Sequence, residues 1–218
     1  MKIIQCWDDG VLNDIRLTEL LRKYKAKASF NINPGINQMH ERSRGWLYKD
    51  VFAVYRLTLD EMKEVYKDFQ IAGHSMTHPD LTKLDEASLK AQLDDCKAFL
   101  KDRFKVERCG MAYPGGNYDE RVKKAVKDAG YLYSRTTKNI SGPLPLNDPM
   151  ELHSHCHFMA SEFWDKYEEV RRQDGIFYFW GHSYEMMDDE ALWGEFESKI
   201  ARITDDPKVG WSDIVDLF

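Results

Sequence analysis

Short apolar runs alternate with amphipathic segments along the whole chain, and this alternation restricts the folds that the sequence can adopt. The run at 2–8 has the length of a strand, and the segment at 13–24 places Ile15, Leu20, Leu21 and Tyr24 near one helical face. The same order continues to the apolar run at 176–181 and the helical segment after it. Strands that alternate with helices in this way form parallel sheets or barrels. The sequence therefore predicts an α/β fold.

The chain is large enough for one core, and nothing divides it. Its 218 residues are 43% hydrophobic and contain no repeat or linker, so we expect a single domain over 1–218. The net charge of -6 argues against a nucleic-acid partner. No apolar run approaches the roughly 20 residues of a membrane span, and no signal segment stands at the N-terminus. We therefore expect a cytoplasmic chain without a membrane partner. Secretion of a longer precursor stays open, and the sequence does not indicate an oligomeric state.

Polar residues follow the ends of several predicted strands. In a parallel barrel these ends meet at one rim, where such enzymes have their active sites. Residues that lie far apart in the sequence are thereby predicted to be neighbours. The set comprises Asp8, Asp9, His74, the Y-P-G-G turn that begins at Tyr113, Arg135, His157 and His182.

His74 and His78 lie four residues apart just past a predicted strand. Over one helical turn this spacing places both imidazoles on one side, where they can bind a single ion. Pro79 disfavours a longer helix through His78. By itself the spacing is more typical of surface or capping histidines, so the metal interpretation depends on a further ligand.

The adjacent carboxylates of Asp8 and Asp9 provide that ligand. Successive strand residues point to opposite faces, but a turn at Asp8-Asp9-Gly10 brings both carboxylates into one pocket. A D-G hairpin turn is the alternative, and the helix that follows disfavours it. One carboxylate can bind a divalent cation while the other accepts a proton from water that the metal activates. The residues thus favour metal-assisted hydrolysis.

Four motifs, W-D-D-G, G-H-S-M-T-H, A-Y-P-G-G and F-W-G-H, follow one another across nearly the whole chain. Together they resemble the NodB-homology polysaccharide deacetylases, carbohydrate esterase family four, and within it the gellan-lyase-like subgroup. The resemblance implies a distorted (β/α) barrel of about six to eight parallel strands, related to the TIM barrel. It implies removal of acetyl groups from an N- or O-acetylated saccharide. It also implies one divalent metal ion, with Zn2+ favoured over Co2+, Ni2+, Mn2+ and Fe2+.

The resemblance assigns roles to individual residues. Asp8 is the expected general base and His182 the expected general acid. Tyr113 lies where the family commonly donates a backbone amide to the oxyanion, and we also expect it to contact substrate. The metal ligands that the resemblance implies are Asp9, His74 and His78.

The chain also departs from the family pattern. Ala112 stands where many members have an arginine that orients the general base, and the D-x-x-D-W motif that supports the general acid has no clear counterpart. Arg135 ends the next predicted strand and is a candidate to replace the missing arginine; a solvated surface arginine is the alternative. Two other functions stay open: a carbohydrate-binding pseudoenzyme with the same barrel, and a metal-dependent hydrolase of a non-sugar amide.

Aromatic and histidine side chains are candidates for substrate contacts. The stretch 34–56 is too long for an ordinary connection and is either a lid or substrate wall, or a surface insertion packed by its own aromatics. Its Trp46 is the candidate sugar platform, whereas Trp180 is expected to pack in the core. His157 belongs to three alternating histidines on one strand face, which are either a second metal site or structural. Of these three we place only His157 near substrate.

Overall fold

The computed structural model describes residues 1–218 and contains six α-helices and eleven strands. The helices are α1 (Asp14–Lys23), α2 (Leu59–Val65), α3 (Glu86–Phe104), α4 (Glu120–Asp128), α5 (Phe163–Arg172) and α6 (Glu190–Thr204). The strands are β1 (Lys2–Asp8), β2 (Ser29–Ile32), β3 (Arg44–Tyr48), β4 (Phe52–Tyr55), β5 (Gln70–Gly73), β6 (Met111–Ala112), β7 (Ser134–Asn139), β8 (Leu152–Ser154), β9 (Cys156–His157), β10 (Ile176–Gly181) and β11 (Gly210–Trp211).

The principal sheet curls into a nearly closed barrel. Its strands follow the order β8-β7-β6-β5-β2-β1-β10-β9, with β11 added to β1, and every pair is parallel. The two end strands, β8 and β9, are separated in the chain only by His155, so this segment bridges both ends of the sheet. The prediction of a distorted parallel barrel is confirmed. The single strand expected at 150–157 is instead divided at His155, where the chain leaves β7 and joins β10.

The two faces of β1 show how the barrel positions the site. Ile3 and Trp7 belong to the large core that also contains helix residues, between the sheet and the helices. Ile4 and Cys6 belong to the smaller cluster that fills the barrel interior. Because side chains alternate along a strand, Asp8 continues the interior row at the carboxyl end. Its carboxylate therefore lies inside the barrel rim.

The stretch 34–56 is more regular than the sequence predicts. It contains an antiparallel hairpin, in which β3 pairs with β4. Lys49 and Asp50 form the turn with positive φ values of 52° and 57°, as tight hairpin turns require. The hairpin was missed because neither turn residue is glycine or asparagine. An antiparallel bridge between Val11 and Arg56 fixes the base of the hairpin beside the end of β1.

Several helices begin at a residue whose side chain caps the first turn. Thr58 and Glu61 form a capping box at the start of α2. Asp119 caps α4 by accepting the amide proton of Val122. None of the helices combines the length and the apolar character that a membrane crossing requires.

Candidate active site

The predicted site residues meet in one cavity of about 570 Å³ at the carboxyl ends of the barrel strands. This is the rim on which parallel barrels carry their active sites. All but one of the site residues expected from the sequence line it, and the exception is His157. The lining residues from that set are Asp8, Asp9, Trp46, His74, His78, Tyr113, Arg135 and His182.

Asp8 is held on two sides inside the rim. Asn31 donates a hydrogen bond of 2.7 Å to Oδ1, and the Arg135 guanidinium donates to Oδ2. Asp8 and Arg135 are only 2% and 1% exposed. Burial opposes ionisation of Asp8, but the charge of Arg135 outweighs it, and the pKa of Asp8 falls below its usual range. The alternative of a solvated surface arginine at position 135 is therefore wrong.

Asp9 leaves the strand and points its carboxylate toward two histidines. It has a φ of 83°, a conformation that is uncommon outside glycine, and Gly10 follows with a φ of 62°. This turn interrupts the strand alternation, as the sequence predicts for two carboxylates in one pocket. Asp9 Oδ1 lies 3.9 Å from His74 Nε2 and 3.8 Å from His78 Nε2.

His74 and His78 come together through a loop and not through the helical turn that their spacing predicts. No helix forms between β5 and Pro79, and Ser75 and His78 have positive φ values of 59° and 61°. The Ser75 hydroxyl accepts a hydrogen bond of 3.0 Å from the His78 amide. The two rings lie 4.7 Å apart. A helix cannot form here because Ser75 and His78 adopt left-handed backbone conformations and because Pro79 disfavours a helical His78.

Asp9, His74 and His78 fit a divalent cation. Their ligand atoms lie within 4.8 Å of one another, which leaves room for an ion at about 2.0–2.2 Å from each ligand. His74 Nδ1 lies 2.8 Å from the Ala112 carbonyl, and a proton on Nδ1 leaves Nε2 free as a ligand. Burial lowers the pKa of His74, which favours the neutral imidazole that metals bind.

His182 faces the two aspartates from the end of β10. Its Nε2 lies 3.9 Å from both Asp8 Oδ2 and Asp9 Oδ2. On the other side of the ring, Glu185 Oε2 lies 3.3 Å from Nδ1 and accepts the His182 amide proton at 3.0 Å. Burial opposes protonation of His182, but Glu185 and the aspartates outweigh it, and its pKa is raised. Nε2 of His182 therefore faces the two aspartates, while Glu185 binds the His182 backbone.

Glu185 is a site residue that the sequence analysis missed. Its Oε2 also lies 2.9 Å from His157 Nε2, so one carboxylate joins two imidazoles. Burial raises the pKa of Glu185, but the two histidines lower it to about 2. The signal in the sequence is the H-S-Y-E order, because an acidic residue three positions after His182 can cap the same turn. The substrate contact expected for His157 is replaced by this contact, since His157 does not line the cavity.

The amide of Tyr113 is not available to an oxyanion, which corrects the expected role. It donates to the Arg135 carbonyl at 3.0 Å within the barrel, and the Tyr113 hydroxyl donates to Met150 at 2.7 Å. The following turn is closed by the Gly116 amide on the Tyr113 carbonyl at 2.9 Å. Gly115 and Gly116 of this turn line the cavity, and Gly115 has a positive φ of 60°.

The hairpin forms one wall of the cavity, as one of the two interpretations of 34–56 predicts. Trp46 packs against Tyr184 with ring centroids 5.1 Å apart, and both line the cavity. Arg56 lies over the Trp46 ring at 5.1 Å and donates to the Asp9 carbonyl at 3.2 Å. Trp180, expected in the core, also lines the cavity and lies beneath the Arg135 guanidinium at 4.5 Å.

The three alternating histidines do not form a second metal site. His153 Nδ1 lies 2.6 Å from the Thr136 hydroxyl, and His155 Nε2 lies 2.9 Å from the Gly142 carbonyl. His157 interacts with Glu185, as described above. Each imidazole has a different partner because the chain bends at His155, so the structural interpretation is favoured.

Three solved structures have the same fold at low sequence identity. The Streptococcus pyogenes deacetylase PplD is 24% identical over 68% of this chain and 61% of its own, with a TM-score of 0.55. The carbohydrate esterase domain of a multidomain xylanase from the hindgut metagenome of Trinervitermes trinervoides is 12% identical over 100% of this chain and 89% of its own, with a TM-score of 0.63. A mutant pseudoenzyme of carbohydrate esterase family 4 with restored activity is 14% identical over 99% and 66%, with a TM-score of 0.60. This chain thus spans less than two thirds of the Streptococcus protein.

The sequence comparisons agree with the site. No curated protein matches the sequence significantly. The family model for polysaccharide deacetylases matches residues 1–134, which include Asp8, Asp9, His74 and His78. The likeness to the gellan-lyase-like subgroup stays a prediction. With more than half of its length matched by that model, the chain belongs to the polysaccharide deacetylase family.

Proposed function

We propose that the protein is a metal-dependent deacetylase that releases acetate from an N- or O-acetylated saccharide. One observation carries the proposal: the buried Asp8–Arg135 pair adjoins the Asp9, His74 and His78 ligand set in a single cavity. A binding protein has no need to hold an ionised carboxylate beside a metal site, whereas hydrolysis needs both.

Asp9, His74 and His78 would hold the ion, with zinc the preferred one for two imidazoles and a carboxylate. Bound there, a divalent cation supplies Lewis acidity, which polarises the acetyl carbonyl and acidifies a water molecule. The remaining work falls to the protein's own side chains.

Asp8 acts as the general base and accepts the proton of the attacking water. Arg135 and Asn31 each bind one oxygen of its carboxylate, so the group is held in one orientation. The lowered pKa keeps Asp8 ionised at neutral pH. Arg135 thus performs from β7 the orienting role that Ala112 cannot perform from β6.

His182 acts as the general acid and gives the proton of its Nε2 to the departing amine or alcohol. Glu185 is its positioning residue, because it binds the backbone amide of His182 and faces Nδ1. A carboxylate at this place stabilises the imidazolium form. For the oxyanion that forms at the acetyl carbonyl, the candidate donor is a backbone amide of the cavity-lining turn at Gly115.

The pseudoenzyme alternative rested on the missing family arginine and on the missing D-x-x-D-W motif. The contact between Arg135 and Asp8 supplies the base with a guanidinium partner, and Glu185 beside His182 is a candidate support for the acid. No feature of the cavity favours a non-sugar amide over a saccharide, and the aromatic side chains of Trp46, Tyr184 and Trp180 suit a sugar ring.

Acetate release tests the proposal. The zinc-loaded protein is incubated with acetylated xylan, acetylated chito-oligosaccharides and acetylated uronic-acid oligosaccharides, and acetate is measured enzymatically. We expect release from at least one class, loss of release after chelation, and recovery on adding zinc. Release from none of the classes, by protein that has been shown to contain metal, would contradict the proposal.

A further inference from the structure

Arg56 is a cationic side chain on the cavity wall that the proposed reaction does not use. It follows β4 and is half-buried. One nitrogen, Nη1, donates to the Asp9 carbonyl, and the guanidinium lies over the Trp46 ring. Neither contact neutralises its charge, because a carbonyl and an aromatic ring carry no net charge.

The other arginines show that this situation is unusual in the molecule. Eight of them form an ion pair with a carboxylate, and Arg56 does not. The three others without such a partner, Arg44, Arg108 and Arg172, are exposed to solvent. Keeping a partly buried charge without a partner costs free energy. Such groups are common at sites where a bound ligand supplies the missing partner.

The charges around the cavity indicate what kind of ligand would pair with Arg56. Arg135 is already neutralised by Asp8. Arg56 binds the backbone carbonyl of Asp9, and a divalent cation bound by the Asp9 carboxylate would offset the negative charge of that residue. Arg56 is then a positive charge without a counterion, next to the aromatic wall of Trp46 and Tyr184.

We propose that Arg56 binds a carboxylate of the substrate, so that the natural substrate is an acetylated saccharide containing a uronic acid or a similar carboxylate-bearing sugar. The inference rests on the proposed deacetylase function and specifies its substrate. A guanidinium edge matches a carboxylate in a bidentate contact. A phosphate is disfavoured because no lysine lines the cavity and the only other arginine there, Arg135, is buried in its pair with Asp8.

The test compares substrates that differ only in charge. Acetylated uronic-acid oligosaccharides are prepared as the free acid and as the methyl ester, and kcat/KM is measured for both. We expect the wild-type protein to prefer the acid at least tenfold, mainly through KM. Arg56→Gln should remove the preference by slowing the acid form alone, and Arg56→Lys should retain part of it. Arg44→Gln, on the exposed side of the same hairpin, is the matched control and should keep the wild-type preference.

A binding measurement adds a readout that does not depend on turnover. Calorimetry of the zinc-loaded protein with the deacetylated uronic-acid oligosaccharide, which cannot be turned over, should show weaker binding for Arg56→Gln than for wild type or Arg44→Gln. Equal wild-type kcat/KM for acid and ester, or an equal loss on both substrates in Arg56→Gln, would overturn the inference. Release from neutral substrates without an acid preference would do so while leaving the deacetylase function intact. Release from no substrate would instead contradict the proposed function, and this inference with it.

Discussion

Two sides of the cavity are built in different ways. The inner cluster, which we define as Asp8, Asn31 and Arg135, consists of strand residues that are at most 2% exposed. The outer wall, which we define as Trp46, Arg56 and Tyr184, consists of half-exposed residues from the hairpin and the segment after β10. The barrel fixes the inner cluster through three strands of one sheet, β1, β2 and β7. The hairpin lies outside that sheet and is joined to Val11 at its base and to the segment after β10 by side-chain contacts.

This difference in burial predicts that the inner cluster controls the chemical step and that the outer wall controls the choice of substrate. Charges in the inner cluster are shielded from solvent, so the loss of one partner leaves the other uncompensated. Side chains of the outer wall stay in contact with water, so their loss should weaken contacts without creating a buried charge. Changes to the inner cluster should lower kcat, and changes to the outer wall should raise KM.

The largest effect is expected for Arg135→Met. It leaves the buried carboxylate of Asp8 without its guanidinium, and removing one partner of a buried pair typically costs about 3–5 kcal/mol. Acetate release at pH 7 should fall at least about a hundredfold in kcat, and the melting temperature should drop. Arg135→Lys should recover the charge but not the forked contact, and its kcat should stay well below wild type. Wild-type kcat in both variants would contradict the division between the two sides.

A smaller effect is expected for Glu185→Gln. The protonated form of His182 is active and is lost as pH rises through its pKa, which Glu185 helps to raise above the ordinary histidine value. The variant should therefore move the alkaline limb of the pH profile of kcat to lower pH and reduce kcat about tenfold to a hundredfold. An aryl acetate, whose leaving group needs no proton, should be hydrolysed at nearly the wild-type rate. An unchanged alkaline limb would exclude Glu185 from positioning the acid.

The smallest effect is expected for Trp46→Ala. Loss of an aromatic platform for a sugar ring should raise KM several-fold, in line with about 0.5–1.5 kcal/mol for an aromatic contact. The kcat value should stay within about twofold of wild type, because no buried charge is exposed. Trp164→Ala is the control, since Trp164 packs against α6 at Arg202 and does not line the cavity. A large fall in kcat for Trp46→Ala would contradict the prediction that the outer wall affects KM and the inner cluster affects kcat.

The positions of the inner residues could be predicted because strand ends meet at one rim. Asp8, His74, His182 and even Arg135 needed only the order of strands and helices to be placed together. β6 and β7 are neighbours, and Arg135 lies beside Ala112 in their pairing. The Arg135 side chain can therefore reach Asp8 from next to the position of the family arginine, and the order of the motifs already suggests this pairing.

Local backbone conformation was less predictable. The loop between His74 and His78 depends on left-handed residues, which a spacing rule does not reveal. That the Tyr113 amide is used within the barrel, by the Arg135 carbonyl, is likewise not visible in the A-Y-P-G-G motif. Glu185 was missed because an acidic residue three positions after His182 is a common capping pattern, and its second partner, His157, is brought from β9 by tertiary structure alone.

The zinc affinities of Asp8→Asn and Asp9→Asn test the central claim most directly. The two residues are adjacent, yet the account makes Asp9 a ligand and Asp8 a base held by Arg135. The zinc affinity is measured by competition with a chelator. That of Asp9→Asn should fall about tenfold to a hundredfold or more, whereas that of Asp8→Asn should stay close to wild type. Equal losses of zinc in the two variants would contradict the assignment of base and ligand.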